Sequence, residues 1–270
     1  MNLLCVGDAA VDIYSNHSYP GGCSLNVARH LQRLNTNTPG KIGVMAPVGA
    51  DEGKSILETT LADSGLQNHL LETKGSTTTC YIEVDEHGER SFPKYDASAL
   101  EQFEMTAQHL HHFESYNHVL TLLYKESETL FRSLMKLPLQ QPLYCDFTDL
   151  KDFNSSADVV REFIPQLDLV FCGLEPQEES LLHDLKALSL EFQTTIVATL
   201  GSAGSLAYHK GQTLQQSAKP VKQVVDTTGA GDSFLAAFLT AHLHGLALPQ
   251  CLEQASHYAA QTLQYEGAFR

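Results

Sequence analysis

Short apolar runs recur along this chain and restrict its fold more than any other feature. Leu3-Leu4-Cys5-Val6, closed by Gly7-Asp8, is the first, and residues 42–48, 119–123, 143–147, 167–172 and 195–200 are the others. A run that is apolar at consecutive positions is buried on both faces, as the strands of a parallel sheet are. The segments between the runs are mostly helical in pattern, and parallel strands need such crossovers. The reading is therefore an α/β domain with a mainly parallel sheet covered by helices on both faces. At 270 residues with 43% hydrophobic content, a single domain over 1–270 accommodates the chain.

Residues 77–95 break the pattern. They alternate polar and apolar residues around Asp85-Glu86-His87-Gly88, a hairpin signature with Gly88 free to take positive φ. Together with residues 11–14 they are expected to form a small sheet over segments of about 10–20 and 75–96, a lid that excludes water from a substrate. In the C-terminal third, residues 221–225 read as β-like, a helix runs on from Phe234, and Leu248-Pro249 opens another through 263.

A formal net charge of −15, with no Lys/Arg stripe to offset it, would repel phosphodiester backbones, so nucleic acid is not an expected partner. No apolar run approaches the roughly 20 residues that span a bilayer, and the first twelve residues read as a strand rather than a signal peptide, which points to the cytoplasm. Six scattered cysteines without a Cys-x-x-Cys pair read as buried thiols. His109, His111, His112 and His118 lack the i, i+4 spacing of a helical metal pair and read as a solvated or partly packed helix end.

The strongest local signal is Asp226-Thr227-Thr228-Gly229-Ala230-Gly231-Asp232. It precedes a long apolar helix, so Gly229, Ala230 and Gly231 fall where helix N-terminal N–H groups lack intrahelical partners, and a phosphate can approach their small or absent side chains. These residues form a candidate anion hole. Asp232 lies one residue further on, placed to take a proton from a hydroxyl aimed at that phosphate. The plainer reading of Asp232 is a first-turn residue favouring the helix N-terminus.

This string resembles the second signature of the ribokinase, or PfkB, family of carbohydrate kinases. Gly21-Gly22-Cys23-Ser24-Leu25-Asn26-Val27-Ala28 resembles its first signature, Gly7-Asp8-Ala9-Ala10-Val11-Asp12 its opening strand, and Thr199-Leu200-Gly201-Ser202-Ala203-Gly204-Ser205 its nucleotide loop. The resemblance implies a ribokinase-like three-layer α/β/α domain with a small β lid. It also implies ATP-dependent phosphorylation of a sugar-like hydroxyl with Asp232 as base. Substrate hydroxyls would then meet Asp12, Gly21, Gly22 and Asn26. Thr199, Gly201 and Gly204 would line the ATP phosphates and ribose, with Ser256 and His257 near the adenine. Turn formation and helix capping are the alternative roles of Asp12 and Asn26. A monovalent cation such as K⁺ would fall near Asp226, the Thr228 carbonyl and Gly267. Members of the family pair through the lid, and the alternation of Cys80, Ile82 and Val84 permits a homodimer.

The chain departs from the family at the Asn-x-x-Glu motif that organises Mg²⁺ through water, where it has Glu175-Pro176-Gln177-Glu178-Glu179; the carboxylate is Glu178 or Glu179. Gly49-Ala50-Asp51-Glu52-Gly53-Lys54-Ser55 imitates a Walker A loop but has three residues between its glycines where four are needed, and reads as a turn and helix start. Tyr124, Lys125 and Asp146, at the ends of apolar runs, are expected to border the pocket. The C-terminal Thr262-Leu263-Gln264-Tyr265-Glu266-Gly267-Ala268, with Pro176-Gln177-Glu178, is similar to bacterial fructoselysine 6-kinases. That similarity makes fructoselysine the first substrate and a sugar or sugar-amine the class. A kinase for fructose, ribose, a sugar acid or a nucleoside is the alternative, and a non-catalytic sugar or nucleotide sensor is a further one.

Overall fold

The computed structural model describes residues 1–15, 17–36, 40–85 and 90–269. β1 (Asn2–Val6) is followed by β2 (Ala10–Ile13), β3 (Ser18–Gly21), α1 (Cys23–Leu34), β4 (Lys41–Val48), α2 (Glu52–Asp63) and β5 (Gln67–Glu72). The middle of the chain forms β6 (Thr78–Val84), β7 (Arg90–Asp96), α3 (Ser98–Glu101), β8 (His118–Leu122), α4 (Glu128–Leu134), β9 (Leu143–Asp149) and α5 (Asp158–Phe163). β10 (Leu169–Gly173), α6 (Glu179–Phe192), β11 (Thr195–Thr199), β12 (Ser205–His209), β13 (Gln212–Gln216), α7 (Ala230–Leu243) and α8 (Leu248–Thr262) complete it.

Among the described residues, nine strands form one sheet in the order β13-β12-β11-β10-β9-β8-β1-β4-β5. The pairs from β5 to β11 are parallel, and only β12 and β13 run antiparallel, as an edge hairpin. The six apolar runs are β1, β4, β8, β9, β10 and β11, apolar throughout because each is covered twice. Successive side chains point to opposite faces. Leu4 and Val6 of β1 therefore join a core with Leu130 and Phe131 of α4, Val160 of α5 and Leu185 of α6. Leu3 and Cys5 join a second core with Leu25 and Leu31 of α1, Leu57 of α2, Phe238 of α7 and Leu252 of α8. The result is the ribokinase-like α/β/α arrangement implied by the resemblance.

Residues 221–225 are not a strand. Val225 is 39% exposed, and its N–H donates to Leu263 O at the end of α8, so its β-branched side chain has no sheet neighbour to pack against. The Walker-like string is the turn and helix start expected of it: Asp51 caps α2 by accepting from Lys54 N–H at 3.2 Å and also takes Thr77 N–H at 2.8 Å.

A second sheet has the order β3-β2-β6-β7. The tip of its β6–β7 hairpin, where Gly88 was expected at positive φ, lies outside the described residues. Cys80 and Ile82 of β6 are buried with Tyr14, and Val84 packs against them partly buried. Among the described residues no helix is long and apolar enough to cross a membrane. The six cysteines are free thiols, five of them buried.

Candidate active site

The strand order places a crevice. β1 has β4 on one side and β8 on the other, so connections depart from it in both directions and the carboxyl ends of β1 and β8 part. Asp8 stands at that point. Its carboxylate is 3% exposed and accepts Cys23 N–H at 3.0 Å and Ser24 N–H at 2.8 Å, which fixes the start of α1 beside the crevice. Gly22, at φ 92, makes the turn possible; a Cβ there would lie 2.9 Å from Ala10 N.

α1 carries Asn26 one turn in, and α7 brings Asp232 to meet it: Asn26 Nδ2 donates to Asp232 Oδ2 at 2.9 Å. The two residues are 206 positions apart in sequence, and both are buried. Asn26 Oδ1 is also buried and has no hydrogen-bond partner, an acceptor whose desolvation is offset only when a donor arrives. Gly229 caps α7 at φ 73, packed so tightly under Ala268 that an added Cβ would lie 2.5 Å from the Ala268 Cβ. Ala230 N–H closes a turn onto Thr227 O at 3.2 Å. Gly231 differs: it is exposed, and a Cβ there would meet nothing within 4 Å. Space for an incoming group therefore opens directly over the first turn of α7, beside Asp232.

The remaining residues singled out in the sequence fall into several groups. Asp12, 6% exposed, folds its carboxylate over Gly21, where an added Cβ would lie 2.0 Å from Asp12 Oδ2. Asp226, Thr228 and Gly267 also meet, since Asp226 accepts Thr228 N–H at 2.7 Å and Gly267 N–H at 2.8 Å.

Thr199, Gly201 and Gly204 form the turn from β11 to β12. Gly201 has open space around it, while Gly204, at φ 102, sits where a Cβ would lie 2.1 Å from Gln216 O. The loop after β10 runs beside this turn, held by Leu174 N–H to Thr199 O. That loop carries Glu178, whose Oε2 accepts Glu175 N–H at 2.8 Å, and exposed Glu179 at the start of α6. Ser256 is buried and donates to Ser217 O at 3.2 Å. His257, the next residue, is exposed and lines a groove of about 350 Å³ with Lys219, Glu253 and Tyr258. The two neighbours thus have different surroundings.

Asp146 in β9 accepts Thr148 N–H at 2.9 Å, and burial pushes its carboxyl up to about 6 against that bond. Tyr124, just beyond β8, is hydrogen-bonded hydroxyl to hydroxyl with Tyr95 of β7 at 3.0 Å. Burial, with the charge of Asp8, keeps both phenols protonated. Tyr14, after β2, makes another tie between the sheets, its hydroxyl 3.1 Å from Asp226 Oδ2. The sequence reading did not single out Asp8, Tyr14 or Tyr95 as site residues. Their partners are 15 or 16 residues away for Asp8, 29 for Tyr95 and 212 for Tyr14, and no local spacing marks such contacts. The histidines near 110 also have a long-range partner: His112 Nδ1 is 3.0 Å from His69 Nδ1, and His69 Nε2 is 2.7 Å from the Tyr116 hydroxyl. No group of three or more His, Cys, Asp or Glu residues suited to a metal ion occurs among the described residues.

A glycine-rich helix start facing a crevice, with a buried carboxylate held beside open space, suits transfer of a phosphoryl group to a hydroxyl. The class so defined is a small-molecule kinase of ribokinase-like fold. Within that class the chain belongs to the pfkB family of carbohydrate kinases, whose family model matches residues 5–270, and it is a phosphotransferase acting on a sugar hydroxyl. It is 31% identical over 270 residues to fructoselysine 6-kinase of Escherichia coli K12, with 99% of each chain covered. Among solved structures it is similar to adenosine kinase from Sinorhizobium meliloti, with TM-score 0.83, 18% identity and coverage of 100% of this chain and 95% of that one. It is also similar to a fructokinase variant from Vibrio cholerae O395, solved with fructose, ADP and potassium ion bound (TM-score 0.76, 21% identity, 99% and 93% covered).

Proposed function

We propose that this kinase transfers the γ-phosphoryl group of ATP to a hydroxyl of a sugar-amine, with fructoselysine converted to fructoselysine 6-phosphate as the first assignment. The observation that carries the substrate is the end-to-end 31% identity to the fructoselysine 6-kinase. The likeness to an adenosine kinase at 18% identity speaks for the fold alone.

In this reading the sugar lies between Asp12, the Gly21-Gly22 backbone and Asn26, whose unpartnered Oδ1 takes a hydroxyl proton as a hydrogen bond. Asn26 Nδ2 holds Asp232 Oδ2 in place, leaving the carboxylate to face the reacting hydroxyl. As the hydroxyl oxygen bonds to the γ-phosphorus, its proton passes to Asp232 and the bond from that phosphorus to the bridging oxygen breaks, releasing ADP. The N–H groups of Gly229 and Gly231, at the start of α7, face the charge that develops on the transferring group, while Ala230 N–H is engaged by Thr227 O.

Thr199, Gly201 and Gly204 line the nucleotide phosphates and ribose, and Ser256 and His257 border the base. Glu178 and Glu179 suit Mg²⁺: both carboxylates stand on the loop beside the nucleotide turn, and one oxygen of Glu178 remains outside its bond to Glu175. When bound, Mg²⁺ would neutralise the β and γ oxygens.

The test is a substrate panel with the purified protein and ATP, with the product's phosphate position read by NMR. Turnover of fructoselysine at its 6-hydroxyl, well above fructose, ribose and adenosine, is the expected result. Strong turnover of ribose or adenosine with none of fructoselysine would remove the assignment.

A further inference from the structure

Asp226 has no exposed surface, so its charge has to be met inside the protein. Three donors meet it. Thr228 N–H donates to Oδ1 at 2.7 Å, while Gly267 N–H and the Tyr14 hydroxyl donate to Oδ2 at 2.8 and 3.1 Å. The Tyr14 oxygen also lies 3.4 Å from Thr228 Oγ1. Its position is fixed by packing: the residue is 7% exposed, and its ring stacks on His17 at 5.4 Å and takes the edge of Tyr19 at 5.6 Å. Tyr19 in turn lies against Gly267, and His17 pairs with Glu266 at 2.5 Å.

A monovalent cation beside Asp226 would have two tasks, to compensate the carboxylate and to tie the loop before α7 to the segment around Gly267. Protein donors already perform both. Oδ2 already receives the protons of Tyr14 and Gly267, and a cation brought to the same oxygen would lie against both protons, which opposes its approach. The donor set at this carboxylate therefore does not fit K⁺. We propose that the Tyr14 hydroxyl, and not a monovalent cation, completes the Asp226 site, so that this kinase needs no K⁺ to order its anion hole. Tyr14 follows Asp12 by two residues, and the same bond ties the substrate side of the small sheet to the loop that starts α7. It is a positioning residue, and the inference rests on membership of the kinase family, not on which sugar is phosphorylated.

The experiment uses the full chain in KCl and in tetramethylammonium chloride at equal ionic strength. Melting temperature and affinity for a non-hydrolysable ATP analogue are measured, followed by turnover of whichever sugar is accepted. The expected result is the same melting temperature, affinity and rate in both salts. A saturable rise in melting temperature or analogue affinity with K⁺ would overturn the proposal, and because neither readout involves the sugar, it would do so whatever the substrate. Tyr14→Phe is expected to weaken analogue binding about tenfold, the usual worth of one hydrogen bond to a buried charge. Unchanged affinity in that variant would overturn the role given to the hydroxyl. Should the variant not fold, the salt comparison on the parent protein decides alone.

Discussion

Gly231→Ala separates binding from folding at the start of α7. Gly231 lies in the first turn of the helix, is exposed, and an added Cβ would meet nothing within 4 Å. Alanine in place of glycine inside a helix stabilises by about 0.5–1 kcal/mol, because less backbone entropy is lost on folding. For a chain of this size that is a rise of about 1–4 °C in melting temperature. The same methyl group occupies the space through which a phosphate would approach the main-chain N–H groups. Loss of one or two charge-assisted hydrogen bonds, each worth about 1.5–3 kcal/mol, lowers kcat/KM roughly 10- to 10⁴-fold.

The assay pairs calorimetric melting of the free protein with steady-state kinetics, and the expected signature is a variant at least as stable as the parent but far less active. Full activity in a stabilised variant would show that the open space over Gly231 is not where the phosphate sits. Gly229→Ala provides the contrast. At φ 73, with Ala268 Cβ 2.5 Å from the new methyl, it pays about 1–2 kcal/mol for left-handed backbone and about 1–3 kcal/mol for overpacking. It should melt well below the parent.

Two further expectations concern pH. His30 is fully buried, bound to Ala268 O through Nε2 and to the Tyr258 hydroxyl through Nδ1, and burial pulls it down to about 4. Its folded value lies below its unfolded one, so the stability it contributes, about 3 kcal/mol, is present above pH of about 6.5 and lost as pH falls towards 4. His30→Gln, which keeps an amide donor for Ala268 O, should flatten that part of the stability profile; an unaltered acid slope would contradict the assignment. Asp146 has the opposite sign, with burial pushing it up to about 6. Its ionised form therefore costs roughly 3 kcal/mol of stability above that pH, and the cost vanishes below about 3.8. Asp146→Asn, which keeps an acceptor for Thr148 N–H, should be more stable than the parent at pH 8 and no more stable at pH 3.5, as denaturant melts at the two pH values would show.

The central strands were legible because burial on both faces leaves an unbroken apolar run, as in Leu3 to Val6. The edges were not. β5 reads Gln-Asn-His-Leu-Leu-Glu because an edge strand keeps one side in solvent. The β12–β13 hairpin does carry a signal, Lys210-Gly211 at φ 48 and 77, a two-residue turn of the kind that twists with its strands. The β-branched residues before Asp226 misled, because propensity without a neighbouring strand does not make a ladder.

In the site, the helix start after Thr228 could be read from small residues at fixed spacing, and Asn26 from its signature. That Asn26 holds Asp232, and that Tyr14 reaches Asp226, depends on how α1, α7 and the small sheet converge. Such contacts leave no trace in local spacing.

The central claim is that the carboxylate held by Asn26 takes the proton of the attacking hydroxyl, and Asp232→Asn tests it most directly. The substitution preserves size and an amide partner for Asn26, so ATP-analogue affinity should stay within a few-fold of the parent. Turnover of the accepted sugar should fall by about 10²–10⁴-fold, the usual contribution of a positioned base. A variant that binds the analogue and phosphorylates the sugar at the parental rate would contradict the account.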